Sequence, residues 1–230
     1  MTLTKYGRRE WLGSLIIAVI LAVFFIWLGN FSGIAILCYL PVVIFIVWLA
    51  IAAFFRDPER KVVAQENAFL SPADGTVRDI TVLKETDYKD FFNGEPVIKI
   101  GIFLSVFNVH LNRAPCDVTA KNVIYKEGKF YDARDARATK ENESNALLAE
   151  AHISGRSFPI VIKQISGAIA KRIVCPVEVG DTFKKGQRYG MIKFGSRTEI
   201  YMPNKDWIKL KVKEGDKLQS ALSIVAEIAK

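Results

Sequence analysis

The chain has 230 residues, half of them hydrophobic, a formal net charge of +8 and three cysteines. That composition excludes a disordered or fibrous chain and allows one or two packed domains. Cys38, Cys116 and Cys175 are far apart and form no CxxC, so neither a disulfide framework nor a structural metal is expected, as suits a reducing compartment.

Two uncharged runs dominate the N-terminal quarter, Trp11 to Gly29 and Gly33 to Phe55. As helices they would reach about 28 and 34 Å, close to the roughly 30 Å hydrocarbon core of a bilayer. Lys5, Arg8 and Arg9 before the first run resemble the basic start of a signal peptide. The run is too long for that and a second follows at once, so a membrane hairpin is the better reading. Asn30, Phe31 and Ser32 would form its turn, and Pro41 would kink the second helix. Neither run has a polar face, which argues against two core helices of a soluble protein. Basic residues outside both ends, Lys5, Arg8 and Arg9 and then Arg56, Arg60 and Lys61, put both ends in the cytoplasm. The expected organisation is an anchoring hairpin over 1–56, with helices about 11–29 and 33–55, and a domain over 57–230 on the cytoplasmic face of the cell membrane. The positive charge suits an anionic membrane surface. Nucleic acid would take the same sign, but the hairpin favours lipid.

After Arg56 the pattern is mainly β. Strands are expected at Gly75 to Leu83, Val97 to Leu104, Cys116 to Tyr125, Phe158 to Gln164, Arg172 to Val177, Arg188 to Lys193, Thr198 to Met202 and Lys209 to Val212. A short helix is expected around Val106 to Asn112, and Leu218 to Ile228 suits either helix or strand. Tyr131 to Ser144 reads as a surface loop. Val177 to Asp181 and Val212 to Asp216 share a Gly-Asp turn like those of biotinyl and lipoyl carrier domains. A shared β-turn in a sandwich-like fold explains the echo, and a modifiable lysine, Lys193, is the carrier alternative.

Three short stretches carry the chemistry. Leu70 to Val77 reads LSPADGTV, a Pro-x-Asp-Gly turn whose Asp74 is able to orient an imidazole. Phe103 to Pro115 reads FLSVFNVHLNRAP and holds His110 beside Asn112 and Arg113. The other histidine, His152, reads as structural. Lys193 to Arg197 reads KFGSR, and its Gly195-Ser196 pair is a common turn that also permits self-cleavage. A serine hydroxyl attacking the preceding carbonyl converts amide to ester, and elimination with hydrolysis leaves a terminal ketone.

Together SPADG, FLSVFNVHLNR, Asn142-Glu143 and FGSR, with the hairpin, resemble the phosphatidylserine decarboxylase family, in its short two-helix prokaryotic form. The resemblance implies a sandwich-like phosphatidylserine decarboxylase fold and cleavage between Gly195 and Ser196 into a β subunit, 1–195, and an α subunit, 196–230. These two chains would form a heterodimer, and two such units a homodimer. Ser196 would become a covalent pyruvoyl group, the only cofactor, with no metal. Asp74, His110 and Ser196 would act together in processing. His110 would also protonate the substrate carbon after carbon dioxide leaves. Arg113, Arg197 and Asn112 would bind the headgroup of a serine phospholipid, and an ether-linked backbone fits as well as an ester-linked one. The pattern departs at Arg113, where longer members carry the second histidine of His-x-x-His, and arginine cannot act as a base. The other classes left open are a membrane-anchored carrier or adaptor domain and a purely structural β domain.

Overall fold

The computed structural model describes residues 2–62, 65–135, 137–168, 173–193 and 196–229. It divides into two compact units, Met1–Glu59 and Arg60–Lys230.

In the first unit α1 (Arg8–Ser32) and α2 (Leu40–Phe54) are joined through a 3-10 segment, Ala35–Tyr39. The first helix continues through Asn30, Phe31 and Ser32, where the sequence suggested the turn, and stops at Gly33, whose φ of 72° favours glycine. Pro41 lies in the first turn of α2, where its missing N–H costs nothing, so it starts a helix and kinks none. Lys5–Ser32 and Ala35–Phe54 are each long and apolar enough to cross a membrane, with a mean hydropathy of 2.7. Side chains such as Ile17, Ile20, Val23 and Ile46 are exposed, an arrangement that lipid accepts and water penalises. The two ends of the unit meet: Thr4 N donates to the Phe55 carbonyl at 2.9 Å and Asp57 N to that of Thr2 at 2.8 Å.

The second unit is built from β1 (Ala68–Leu70), β2 (Gly75–Leu83), β3 (Val97–Leu104), β4 (Leu111–Arg113), β5 (Asp117–Lys126), a one-turn helix α3 (Ala138–Glu141), β6 (Ser144–Ile153), β7 (Arg156–Ser166), β8 (Ile173–Val174), β9 (Thr182–Phe183), β10 (Arg188–Ile192), β11 (Ser196–Pro203), β12 (Ile208–Leu210), β13 (Lys217–Leu218) and β14 (Ile224–Ile228). Eight strands form one antiparallel sheet in the order β13-β2-β3-β11-β7-β6-β5-β9. Two small sheets, β1-β14-β12 and β4-β10-β8, complete the unit. Ile100, Ile102, Ile162 and Ile200 of the large sheet share one core with Phe69, Val225 and Tyr189 of the small ones, so the unit is mainly β and sandwich-like.

β2 and β3 have the bounds their alternation gives. β6 carries no such signal, because eight of its ten residues are buried and both faces are covered. The expected helix at Val106 to Asn112 is instead a tight turn followed by β4. Leu218 to Ile228 supplies the end of β13 and all of β14. The loop from Tyr131 is tied down by Asn142, whose Nδ2 donates to the carbonyls of Tyr131 (2.8 Å) and Ser166 (2.7 Å).

The Gly-Asp echo belongs to a larger duplication. Gly180 and Gly215 adopt φ of 94° and 91°. Asp181 and Asp216 each accept from the backbone N–H three residues back at 2.9 Å. Each turn then pairs with a strand that follows a Pro-x-Asp segment: β9 with β5 after Pro115-Cys116-Asp117, β13 with β2 after Pro72-Ala73-Asp74. The two segments exchange bonds, Arg113 N to the Pro72 carbonyl and Leu70 N to that of Pro115, both at 2.9 Å. Asp74 accepts from Ser220 N at 2.8 Å and Asp117 from Lys185 N at 2.9 Å. The first contact that Asp74 makes is thus one that the fold uses twice.

Candidate active site

Ser196 opens β11 between Leu104 of β3 and Ser166 of β7, so its backbone is held from both sides. Its side chain is fully buried, and Oγ has no hydrogen-bond partner among the described residues. The same holds for Ser166 Oγ, directly opposite, and for Gln164 Oε1, two residues along on the same face. A buried polar group left unsatisfied costs about 1–3 kcal/mol. Three together beside a strand start mark a place kept ready for chemistry or a ligand. Phe194 and Gly195 lie outside the described residues.

Asn112 braces this cluster. It accepts from Gln164 Nε2 at 2.8 Å and donates to Thr198 Oγ1 at 3.1 Å, which links β4 to the large sheet. Gly190 makes room for it: a Cβ there would lie 3.1 Å from Gln164 Nε2 and 2.6 Å from the Val174 carbonyl.

His110 reaches the same end of the sandwich through the turn after β3. Asn108 Oδ1 accepts from Ser105 N at 2.9 Å and Ser105 Oγ at 2.8 Å, and Asn108 N donates to the Ser105 carbonyl at 2.9 Å. The reversed chain buries His110 completely one residue before β4. Ile192 N donates to the His110 carbonyl at 3.1 Å, and four residues beyond Ile192 the chain arrives at Ser196. The β3–β4 and β10–β11 connections therefore start and finish beside one another. His110 Nδ1 lies 3.0 Å from the Asn108 carbonyl, which can only accept. Nδ1 therefore carries the proton and Nε2 is the basic nitrogen.

Asp74 is joined elsewhere. Arg60 forks onto it, Nη1 to Oδ1 at 2.6 Å and Nη2 to Oδ2 at 2.8 Å, while Arg60 Nη1 also meets Ser220. The Asp74 carboxylate makes no hydrogen bond to His110. Two residues earlier, the Pro72 carbonyl accepts from Arg113 N in β4. The pair is nearly closed to solvent, with side-chain exposures of 7% and 8%. Asp74→Asn, which strands the Arg60 charge, is expected to cost about 3–5 kcal/mol in urea unfolding. Asp117→Asn, whose partner Lys184 is exposed, is expected to cost about 1 kcal/mol or less. Equal costs would show that the buried pair has no special weight.

Arg197 projects to the other face of β11. Its Nη2 donates to Asp79 at 2.6 Å and its Nε to the buried Glu199 at 2.8 Å, in a cleft of about 550 Å³ that also takes Lys99, Arg78 and Arg134. Burial pushes the Asp79 carboxyl up, but the hydrogen bond and charge of Arg197, aided by Lys99, hold it below the ordinary carboxylate value. Arg113 is buried and donates to the Gly186 carbonyl at 3.2 Å. Thus His110, Asn112 and Ser196 share one end of the sandwich, and Asp74 lies at that end too, since Thr76 of β2 pairs with Phe103 and Ser196 with Leu104. The Asp74 carboxylate is engaged by Arg60 and Ser220, and Arg197 by Asp79 and Glu199 on the other face of β11.

His152 has both ring nitrogens held, by Thr119 Oγ1 at 3.0 Å and Ser157 Oγ at 2.9 Å, as a structural histidine should. Burial pushes the Cys116 thiol up to about 12 and that of Cys175 to about 11, so neither is a nucleophile near neutral pH. Sequence reasoning missed Gln164 and Ser166. The signal was there, since strand alternation puts Gln164 on the stripe of Ile160 and Ile162, where a polar residue is out of place.

A buried serine without a hydrogen-bond partner among the described residues and a buried histidine whose Nδ1 faces the Asn108 carbonyl thus lie toward one end of the fold. Residues 49–226 match the family described as phosphatidylserine decarboxylase. A phosphatidylserine decarboxylase proenzyme from Geotalea uraniireducens is 43% identical over 180 residues, 78% of this chain and 80% of its own length. One from Geobacter metallireducens is 40% identical over 213 residues, covering 93% and 90%, and one from Geobacter sulfurreducens 44% over 168, covering 73% of each. The chain belongs to the phosphatidylserine decarboxylase family, a family of decarboxylating enzymes.

Proposed function

We propose that this chain is a proenzyme that cleaves itself between Gly195 and Ser196 and then decarboxylates phosphatidylserine to phosphatidylethanolamine and carbon dioxide. The observation that carries the proposal is the Ser196 hydroxyl, fully buried and without a partner among the described residues, at the position where the family resemblance puts a nucleophile. His110, with Nδ1 fixed by the Asn108 carbonyl, is the base. In the first step Ser196 Oγ bonds to the Gly195 carbonyl carbon as its proton passes to His110 Nε2. The Gly195–Ser196 amide then breaks, its nitrogen takes that proton, and an ester remains. Removal of the Ser196 Cα proton expels the Gly195 carboxylate and leaves a dehydroalanine, which water converts to the pyruvoyl group with release of ammonia.

The pyruvoyl ketone supplies an electron sink for decarboxylation. The residues around position 196 suit it, since Leu104 across the ladder is apolar and Ser166 Oγ and Gln164 Oε1 are buried polar atoms without partners among the described residues. His110 returns a proton to the substrate Cα. Asn112, Arg113 and Arg197 all have protein partners in this state, so a headgroup would have to exchange those bonds. The apolar helices and the basic residues outside them support a hairpin in the membrane with the second unit on the cytoplasmic side.

The duplicated Gly-Asp hairpins favour a carrier domain as the second reading. Its modifiable group, Lys193, is only 7% exposed and poorly placed for a modifying enzyme. Incubating the purified protein with vesicles of carboxyl-labelled serine phospholipid tests the proposal. Labelled carbon dioxide and one ethanolamine lipid per molecule released are expected, and intact lipid would reject it. Ester- and ether-linked substrates run side by side decide the backbone.

A further inference from the structure

We infer that the turn carrying Val106 and Phe107 is the part of the catalytic unit that enters the lipid interface, so that the serine headgroup is taken from a bilayer. The inference rests on the reading of the substrate as a serine phospholipid. Among the described large hydrophobic residues of Arg60–Lys230, Phe107 is the most exposed, at 84%, and Val106 beside it is 41% exposed. This is not slack chain. The Ser105–Asn108 turn is closed by its backbone bond and by two bonds to the Asn108 side chain. A turn that holds an aromatic ring 84% exposed spends stability on it, and proteins do so mainly at contact surfaces.

The turn also stands next to the site without lining it. It begins one residue past Leu104, the ladder partner of Ser196, and Phe107 stands three residues before His110. Three residues span at most about 10 Å. A ring inserted among the outer acyl carbons would therefore hold the buried base within reach of the headgroup layer, where the bond to be broken lies. A cleft of about 320 Å³, lined by Phe103, Val106, Ala133 and Ala168 together with Ser105 and the paired Asp132 and Arg134, adjoins the turn. Two side chains fall far short of the roughly 1,000 Å² that a stable protein partner needs. They suffice for a bilayer, where binding grows with each apolar group inserted and aromatic rings favour the boundary.

The test uses the full chain reconstituted in vesicles, with completed self-cleavage confirmed for each variant. Phe107→Ser is expected to raise the KM for long-chain phosphatidylserine in vesicles about 10-fold or more. Turnover of a short-chain serine phospholipid, supplied as monomer with the protein in detergent, should stay within about 2-fold of the parent. Phe107→Leu should restore most of the vesicle activity. Equal losses on both substrates would make Phe107 a wall of the site and overturn the inference, as would no loss on vesicles. A parent protein that turns over neither substrate would instead refute the proposed function, a separate outcome.

Discussion

A Ser196→Ala chain is expected to remain one uncleaved polypeptide with no decarboxylase activity above background. Alanine removes the nucleophile of the first step and the carbon framework of the ketone, so both stages fail together. Folding should survive, because Ser196 Oγ makes no hydrogen bond among the described residues and the backbone on either side of it is held by β3 and β7. Losing an unsatisfied buried hydroxyl should leave stability unchanged or slightly raised. The same thermal transition as the parent, together with a single band on a denaturing gel and no released carbon dioxide, is the expected result. Two fragments from this variant would move the cleavage elsewhere and remove Ser196 from the mechanism.

His110→Ala is the second large effect. A positioned general base is worth about 10² to 10⁴ in rate. The fully buried ring, with one nitrogen pinned by the Asn108 carbonyl, is positioned in that sense. Cleavage in the variant should therefore be about 10²- to 10⁴-fold slower than in the parent, as a time course from freshly synthesised chain would show. Material that does cleave separates the two roles: a normal carbon dioxide rate would confine His110 to processing, and a low kcat at unchanged KM would assign it to proton return as well. Arg113 offers no substitute base, since its guanidinium stays protonated. Unchanged rates in both stages would take His110 out of the account.

Much of this was legible before any coordinates. The two apolar runs gave α1 to within three residues at each end and the end of α2 to within one, while the start expected at Gly33 gave way to a 3-10 segment before Leu40, and β2 and β3 followed from alternation. β6 was not legible, since a strand covered on both faces loses its period. The helix expected at Val106 to Asn112 yielded to a turn, because Ser105 and Asn108 satisfy one another locally and leave His110 to enter β4. Asp74 is the instructive residue. Its Pro-x-Asp-Gly setting suggested a partner for histidine, and the repeat at Asp117 shows the same setting fastening a hairpin. Arg60 was read as a charge beside a membrane helix. Its contact with Asp74 joins residues fourteen apart across a turn that no periodicity reports.

The most direct test is the intact mass of the purified parent protein. Two components are expected, one matching residues 1–195 and the other residues 196–230 lighter by one ammonia, as a terminal ketone requires. A single full-length species with Ser196 retained, from protein that nonetheless releases carbon dioxide from serine phospholipids, would contradict the account at its centre.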